Sequence, residues 1–104
     1  MNQIQAVEEN ALAYYKGIAR LLDGRFTETD GIAWFTTDRR SLYRFNGVAR
    51  TATRAEDLSR IADPILESFL SKRLPFFWAD FPDGGTPGLG EYLNSKNIRW
   101  EYFK

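Results

Sequence analysis

LPFFWADFPDGGTPGLGEYL, residues Leu74 to Leu93, passes from a strand-like run through a glycine-rich turn into the start of a helix. Along Pro75 to Phe81 the side chains of Phe76, Trp78 and Asp80 fall on one face and those of Phe77, Ala79 and Phe81 on the other. Apolar groups on both faces predict a central strand covered on two sides, with Asp80 the odd member. Thr86 offers an N-cap hydroxyl, and Pro87 stands where the first helical residue belongs, a position that needs no N–H. The local order is strand, loop, helix.

On the N-terminal side of this stretch, Thr53-Arg54-Ala55-Glu56 has the pattern of a capping box, so a helix is expected to begin there. Leu58, Ile61, Ile65 and Phe69 form its expected buried stripe, supported by Ala62, Leu66 and Leu70. Pro64 is expected to kink or split it, and Lys72 and Arg73 suit its last turn. On the C-terminal side a helix runs to about Lys96 with Leu89 and Leu93 inward. Ile98 to Lys104 then alternates as a strand, Trp100 and Tyr102 against Glu101 and Phe103. An abrupt aromatic end fits a natural terminal strand and equally a chain cut before a further half.

Further upstream, Ile4, Val7, Ala11, Tyr14, Ile18 and Leu21 recur at spacings of three and four, the stripe of an amphipathic helix that Gly24 would stop. On this reading Tyr14 packs inward and Tyr15 lies at the edge; the alternative makes the pair a ligand contact. Phe26 to Thr37 reads as one extended run, with Ile32 and Trp34 opposite in facing to Ala33 and Phe35. A polar turn follows at Thr37 to Ser41, then a second extended run from Leu42 to Ala52. Asn46-Gly47 within it is the strongest short hairpin signal, although a bend or bulge inside one strand is the alternative. The order helix, strand, strand, helix, strand, helix, strand predicts the α+β class: about four strands and three helices in a mixed, twisted layer.

The chain has 104 residues, the length of one domain or part of one. Its 14 basic and 14 acidic residues leave zero net charge, which disfavours a general nucleic-acid or anionic-membrane binder. It contains no cysteine and no histidine, which removes disulfides, thiolate nucleophiles, the usual catalytic triads and most transition-metal sites. The start, MNQIQAVEEN, has neither a basic region nor an apolar core of the secretory kind, and no apolar run approaches the ~20 residues of a membrane span. A soluble, cytoplasmic protein is expected.

A strand, then glycines, then a helix N-terminus can bind phosphate through free N–H groups and the helix dipole. Gly84, Gly85, Gly88 and Gly90 have that outline and are the candidate cofactor residues. Against it, the loop holds no Lys or Arg, Asp80 and Asp83 bring negative charge, and Pro87 has no N–H; a glycine-rich connection with a cap explains the same residues. Asp80 and Asp83 could pair as acid and base or hold a hard metal, but no third ligand accompanies them, and turn or capping roles account for both. No catalytic residue and no metal site is assigned. Arg39, Arg40, Arg44, Arg50 and Arg54, interrupted by Tyr43 and Phe45, admit a nucleic-acid reading, with an ordinary solvated strand face as the alternative.

Glu9-Asn10-Ala11-Leu12-Ala13-Tyr14-Tyr15, Phe45-Asn46-Gly47-Val48-Ala49-Arg50, Leu74-Pro75-Phe76-Phe77-Trp78 and Thr86-Pro87-Gly88-Leu89-Gly90-Glu91-Tyr92-Leu93 follow one another in this chain. In kind, order and spacing they resemble the N-terminal half of a group of GNAT-type N-acetyltransferases. The resemblance covers almost the whole chain. It implies a GNAT-like sheet, places Asn46-Gly47 within a strand, and implies acetyl transfer from acetyl-CoA to an amine by the complete protein. The family's pyrophosphate loop, [QR]-x-x-G-x-[GA], belongs to the C-terminal half of these two-part proteins. Here Gly88-Leu89-Gly90 matches its G-x-G portion, while Gly85 stands where Gln or Arg should be.

The expectation is therefore a single domain over residues 1–104, a non-catalytic GNAT-like accessory domain without a cofactor of its own. It would shape a substrate cleft or dock onto a catalytic acetyltransferase half or a second copy, with Trp78, Asp80, Asn46, Trp100 and Tyr102 as contact residues. The alternative is an acetyl-CoA-dependent N-acetyltransferase acting through residues 84–90, as a monomer or across a homodimer. A small nucleic-acid-binding module is the third reading.

Overall fold

Asp30 and Gly31, both with positive φ (53° and 81°), divide the first expected extended run into a hairpin. In the computed structural model, which describes residues 3–39, 45–80, 86–98 and 101–102, Arg25–Thr29 (β1) and Ile32–Thr36 (β2) pair antiparallel around this turn. Positive φ at both central positions is the type I′ geometry that matches the twist of the strands, and Asp-Gly is one of its preferred pairs. Asn46-Gly47 instead open a single strand, Asn46–Thr51 (β3), antiparallel to β2. A Cβ at Gly47 would lie 2.5 Å from the Phe77 ring, so this glycine permits close approach and does not make a turn. The strand deforms further on: Ala33 pairs with Arg50 but Trp34 with Val48, leaving Ala49 as the extra residue of a bulge.

The remaining elements are the helices Gln3–Leu21 (α1), Leu58–Ser71 (α2) and Leu89–Ser95 (α3), with strands Phe77–Asp80 (β4) and Glu101–Tyr102 (β5). The sheet order is β1-β2-β3-β4-β5, antiparallel at its first two pairings and parallel at its last two. Each parallel connection carries a helix, because the chain must cross back before it can pair in the same direction. The result is an α+β fold: among the described residues, three α-helices and a mixed sheet of four strands of at least four residues, with a two-residue fifth. The element order carries one more strand than expected because the Asp30-Gly31 turn lies inside the first run.

Alternation along the strands makes two cores. Ile32, Val48 and Trp78 face Leu58, Ala62, Leu66 and Phe69 of α2 and Leu89 and Leu93 of α3. Ala33, Phe35, Ala49, Phe77 and Ala79 face Leu12, Tyr15 and Ala19 of α1. β4 is thus a central strand covered on both faces, as its sequence predicts. The first core buries twelve of the described side chains and the second eight, four of them alanines; burying the larger ones, at roughly 1.5–3 kcal/mol each, is the main favourable term holding the layers together.

Helix rotation and caps depart from expectation. Among the described side chains of α1 the buried positions are Leu12, Tyr15 and Ala19, while Tyr14 is 64% and Leu21 82% exposed; the side chains of Ile4 and Val7 lie outside the described residues. The tyrosines exchange their expected places because Tyr15 stacks on Phe35 and meets Phe77, with centroids 5.2 and 4.9 Å away, above a sheet face kept low by Ala33, Ala49 and Ala79. In α2 the capping box does not form: residues Ala55–Asp57 make a 3₁₀ turn, and the Thr53 hydroxyl bonds to Thr86 instead. α2 is not split at Pro64: it runs on through the proline, which is exposed, and Leu70 is exposed as well. All three helices end on a left-handed residue, Asp23, Arg73 or Asn97. The following N–H then reaches back five residues, Gly24 to Ala19, Leu74 to Phe69 and Ile98 to Leu93, in a Schellman arrangement.

Candidate functional site

The parallel ladder between β3 and β4 consists of only two pairs, Gly47 with Phe77 and Val48 with Trp78. Past Val48, β3 bulges at Ala49 and stays with β2, whereas Ala79 and Asp80 of β4 pair with Glu101 and Tyr102 of β5. The carboxyl ends of two parallel strands therefore part company. Such ends are where sheets with helical crossovers place their ligands.

Three threonines close the α2/α3 side of this gap. The buried Trp78 donates its indole N–H to Thr51 Oγ1 at 2.9 Å. Thr86 Oγ1 accepts the Thr53 N–H at 2.8 Å, lies 3.0 Å from Thr53 Oγ1 and donates to the Thr53 carbonyl at 2.9 Å. The Thr86 N–H donates to the Thr51 carbonyl. Every polar group drawn inward here finds a partner, as burial demands. The chain entering α3 is tied across the end of β3.

This tie changes the start of α3. Thr86 is not its N-cap; Gly88 is, at φ 84° and ψ 4°, and Leu89 donates its N–H to the Thr86 carbonyl. Pro87 and Gly88 occupy the central positions of a turn with the type II signature, in which the third residue needs positive φ. The Thr86 hydroxyl and the Leu89 N–H are thus both committed inside the chain. Gly88 is exposed and Gly90 half-buried within the helix, while Gly84, Gly85 and Asp83 lie outside the described residues.

On the α1 side, Glu28, Ala33 and Arg50 lie in one cross-strand row, Ala33 pairing with both of the others. The small central residue leaves a hollow of about 360 Å³, lined by Glu28, Asp30, Gly31, Arg50 and Ala52 among others. Arg50 Nε is buried there without a hydrogen-bond partner. A guanidinium faced by two carboxylates across such a space can take a carboxylate at one end and an amine at the other. A larger hollow of about 620 Å³, with Lys16, Arg20, Asp23 and Phe26 on its walls, opens beside the C-terminal end of α1.

The other expected contact residues scatter. Asn46 is fully buried: Oδ1 accepts from the Thr36 hydroxyl and the Thr37 N–H, and Nδ2 donates to the carbonyls of Arg39 and Pro75. It ties the start of β3 to the approach to β4. Trp78 is buried beneath α3, against Tyr92. Asp80 and Tyr102 pair through their backbones, and Trp100 lies outside the described residues. Of the arginines, Arg39 is exposed, Arg50 half-buried and Arg54 paired with Glu56 at 2.6 Å, and Arg40 and Arg44 lie outside the described residues. Arg50 and the threonines were not selectable from spacing, since Thr53 and Thr86 are 33 positions apart.

Among the described residues one titratable group is strongly perturbed. The Tyr92 hydroxyl donates to Asp63 Oδ1. Burial, that hydrogen bond and the Asp63 charge together raise its pKa well above the ordinary value near 10. It stays neutral throughout the physiological range, as a strut between α2 and α3. Among the described residues no cluster suits a metal ion and no helix is long and apolar enough to cross a membrane. Compared with protein families, curated proteins and solved structures, the chain matches none.

Proposed function

We propose that this chain is a non-catalytic, GNAT-like domain of the N-acetyltransferase kind that shapes a substrate cleft beside a catalytic, acetyl-CoA-binding half. The observations that carry the reading are the parting of β3 and β4 at their carboxyl ends and, across β3 beside the β1–β2 hairpin, a hollow in which Arg50 Nε is buried without a hydrogen-bond partner. An amine acceptor would meet Glu28 and Asp30 there, and a carboxylate on the same acceptor would meet Arg50. The motif order from Glu9 to Leu93 supports the family assignment. Among the described strands β5 is the last in the sheet order, and its outer edge would offer the second half a place to extend the sheet.

Titrating acetyl-CoA into the isotopically labelled chain tests this reading by NMR. The domain as proposed shows no saturable amide shifts at Gly88 and Gly90 up to millimolar cofactor. Saturable shifts there would move the assignment to an acetyl-CoA-dependent N-acetyltransferase acting through residues 84–90. A stable chain that also ignores a separately expressed downstream half would remove the accessory role.

A further inference from the structure

Among the described residues, the outward face of α1 has no charge on it. Asn10, Ala13, Tyr14, Gly17 and Leu21 are all exposed and recur at helical spacing, opposite the buried Leu12, Tyr15 and Ala19. An ordinary surface helix turns charged side chains to water at these positions. Here the described charges of α1, Glu9, Lys16 and Arg20, share one flank instead. Gly17 sits in the middle of a 19-residue helix, where glycine is a poor helix former, and a Cβ on it would meet nothing within 4 Å. Nothing inside the chain requires that glycine. A gap beside an exposed tyrosine does suit an approaching helix.

We infer that α1 is a self-association surface on which two copies of the chain pair antiparallel about a two-fold axis, with Tyr14 of each seated over Gly17 of the other. A two-fold contact is isologous, so residue i meets j where j meets i, and Tyr14 with Gly17 satisfies that condition with one pairing. The same register brings Leu21 beside Asn10 of the second copy. It also sets the acidic Glu9 of one flank against the basic Arg20 of the other, twice over, so the charges of the helix complement themselves. Lys16, which this register would bring near its own copy, is drawn away over the Phe26 ring at 5.3 Å. The helix is about 28 Å long at 1.5 Å per residue. One helix face falls below the ~800 Å² per partner of a standard interface, so the pairing is weak. It does not depend on the acetyltransferase reading and lies on the helix, away from the β5 edge.

Sedimentation equilibrium of the full chain from about 10 µM to about 1 mM tests it, over the range expected of a small interface. Average mass should rise from monomer towards dimer, and Tyr14→Glu should weaken association about tenfold or more, as loss of a central aromatic does. Gly17→Gln should raise the melting temperature of dilute protein, through better helix propensity, while weakening the dimer; a purely structural glycine would not couple those two signs. Glu9→Lys and Arg20→Glu should each weaken self-association by about threefold, and mixing the two variants should restore it, since their charges then complement. A monomer at every concentration, a dimer indifferent to Tyr14→Glu and Gly17→Gln, or no recovery on mixing would each overturn the inference.

Discussion

Gly47 and Asn46 show how adjacent residues of a turn-forming pair can be used for other ends. Asn46 spends its amide on four hydrogen bonds to three segments, and Gly47 lets the Phe77 ring lie against bare backbone. Gly47→Ala must push that ring or the strand aside, an overpacking expected to cost about 1–3 kcal/mol. Urea unfolding should show the loss as a lower midpoint with an unchanged slope. At Tyr92 the prediction concerns pH. Its folded pKa is raised above the unfolded value near 10, so its contribution is complete below that pH and is lost as pH climbs towards the folded pKa. The slope is at most about 1.4 kcal/mol per pH unit, and shallower here because Asp63 is half exposed. Unfolding of wild type and Tyr92→Phe between pH 8 and pH 11 (roughly, the span around an ordinary tyrosine pKa) should show wild type more stable by a constant margin at the lower end, the margin narrowing in this alkaline limb. Parallel curves would place the perturbation elsewhere.

At the scale of elements, α2 tolerates a residue that its pattern predicts should break it. Pro64 removes the N–H that would reach the Arg60 carbonyl, and α2 continues past it with Leu58 and Ala62 buried before the proline and Ile65, Leu66 and Phe69 after it. Since Pro64 is exposed, Pro64→Ala restores the bond without disturbing the core. It should stabilise the protein by about 1–3 kcal/mol, read as a higher thermal midpoint. A lower midpoint would mean that the proline shapes the helix for its neighbours. α1 carries the complementary lesson. Its apolar residues make two overlapping stripes, and periodicity alone could not say which of them meets the sheet.

For the whole molecule, the sheet is shared by both cores, so neither layer can melt without exposing the other. Trp34 and Trp78 report on the α2/α3 side, while Tyr15 marks the α1 side. Tryptophan fluorescence and far-ultraviolet circular dichroism should therefore give coincident urea transitions, as for other small domains. Separated transitions would show α1 leaving first. The parting of β3 and β4 also belongs to this scale, because it needs the bulge at Ala49, the switch of β4 to β5 and the threonine tie together.

The α+β class, three helices and a doubly covered β4 follow from the amino-acid order alone, because alternation and helical spacing are local and β4 is apolar on both faces. The Asp30-Gly31 hairpin was legible in the same way, as a dipeptide suited to positive φ, although the surrounding apolar run reads as one strand. Other choices were left to the tertiary structure. Whether Asn46-Gly47 turns or pairs depends on Phe77, thirty residues later in the chain. Which stripe of α1 is buried depends on Phe35, Phe77 and three alanines of the sheet. Whether Thr53 and Thr86 cap helices or bind each other depends on their meeting across β3. In each case a residue has two locally acceptable uses of similar free energy, and packing against distant partners decides between them.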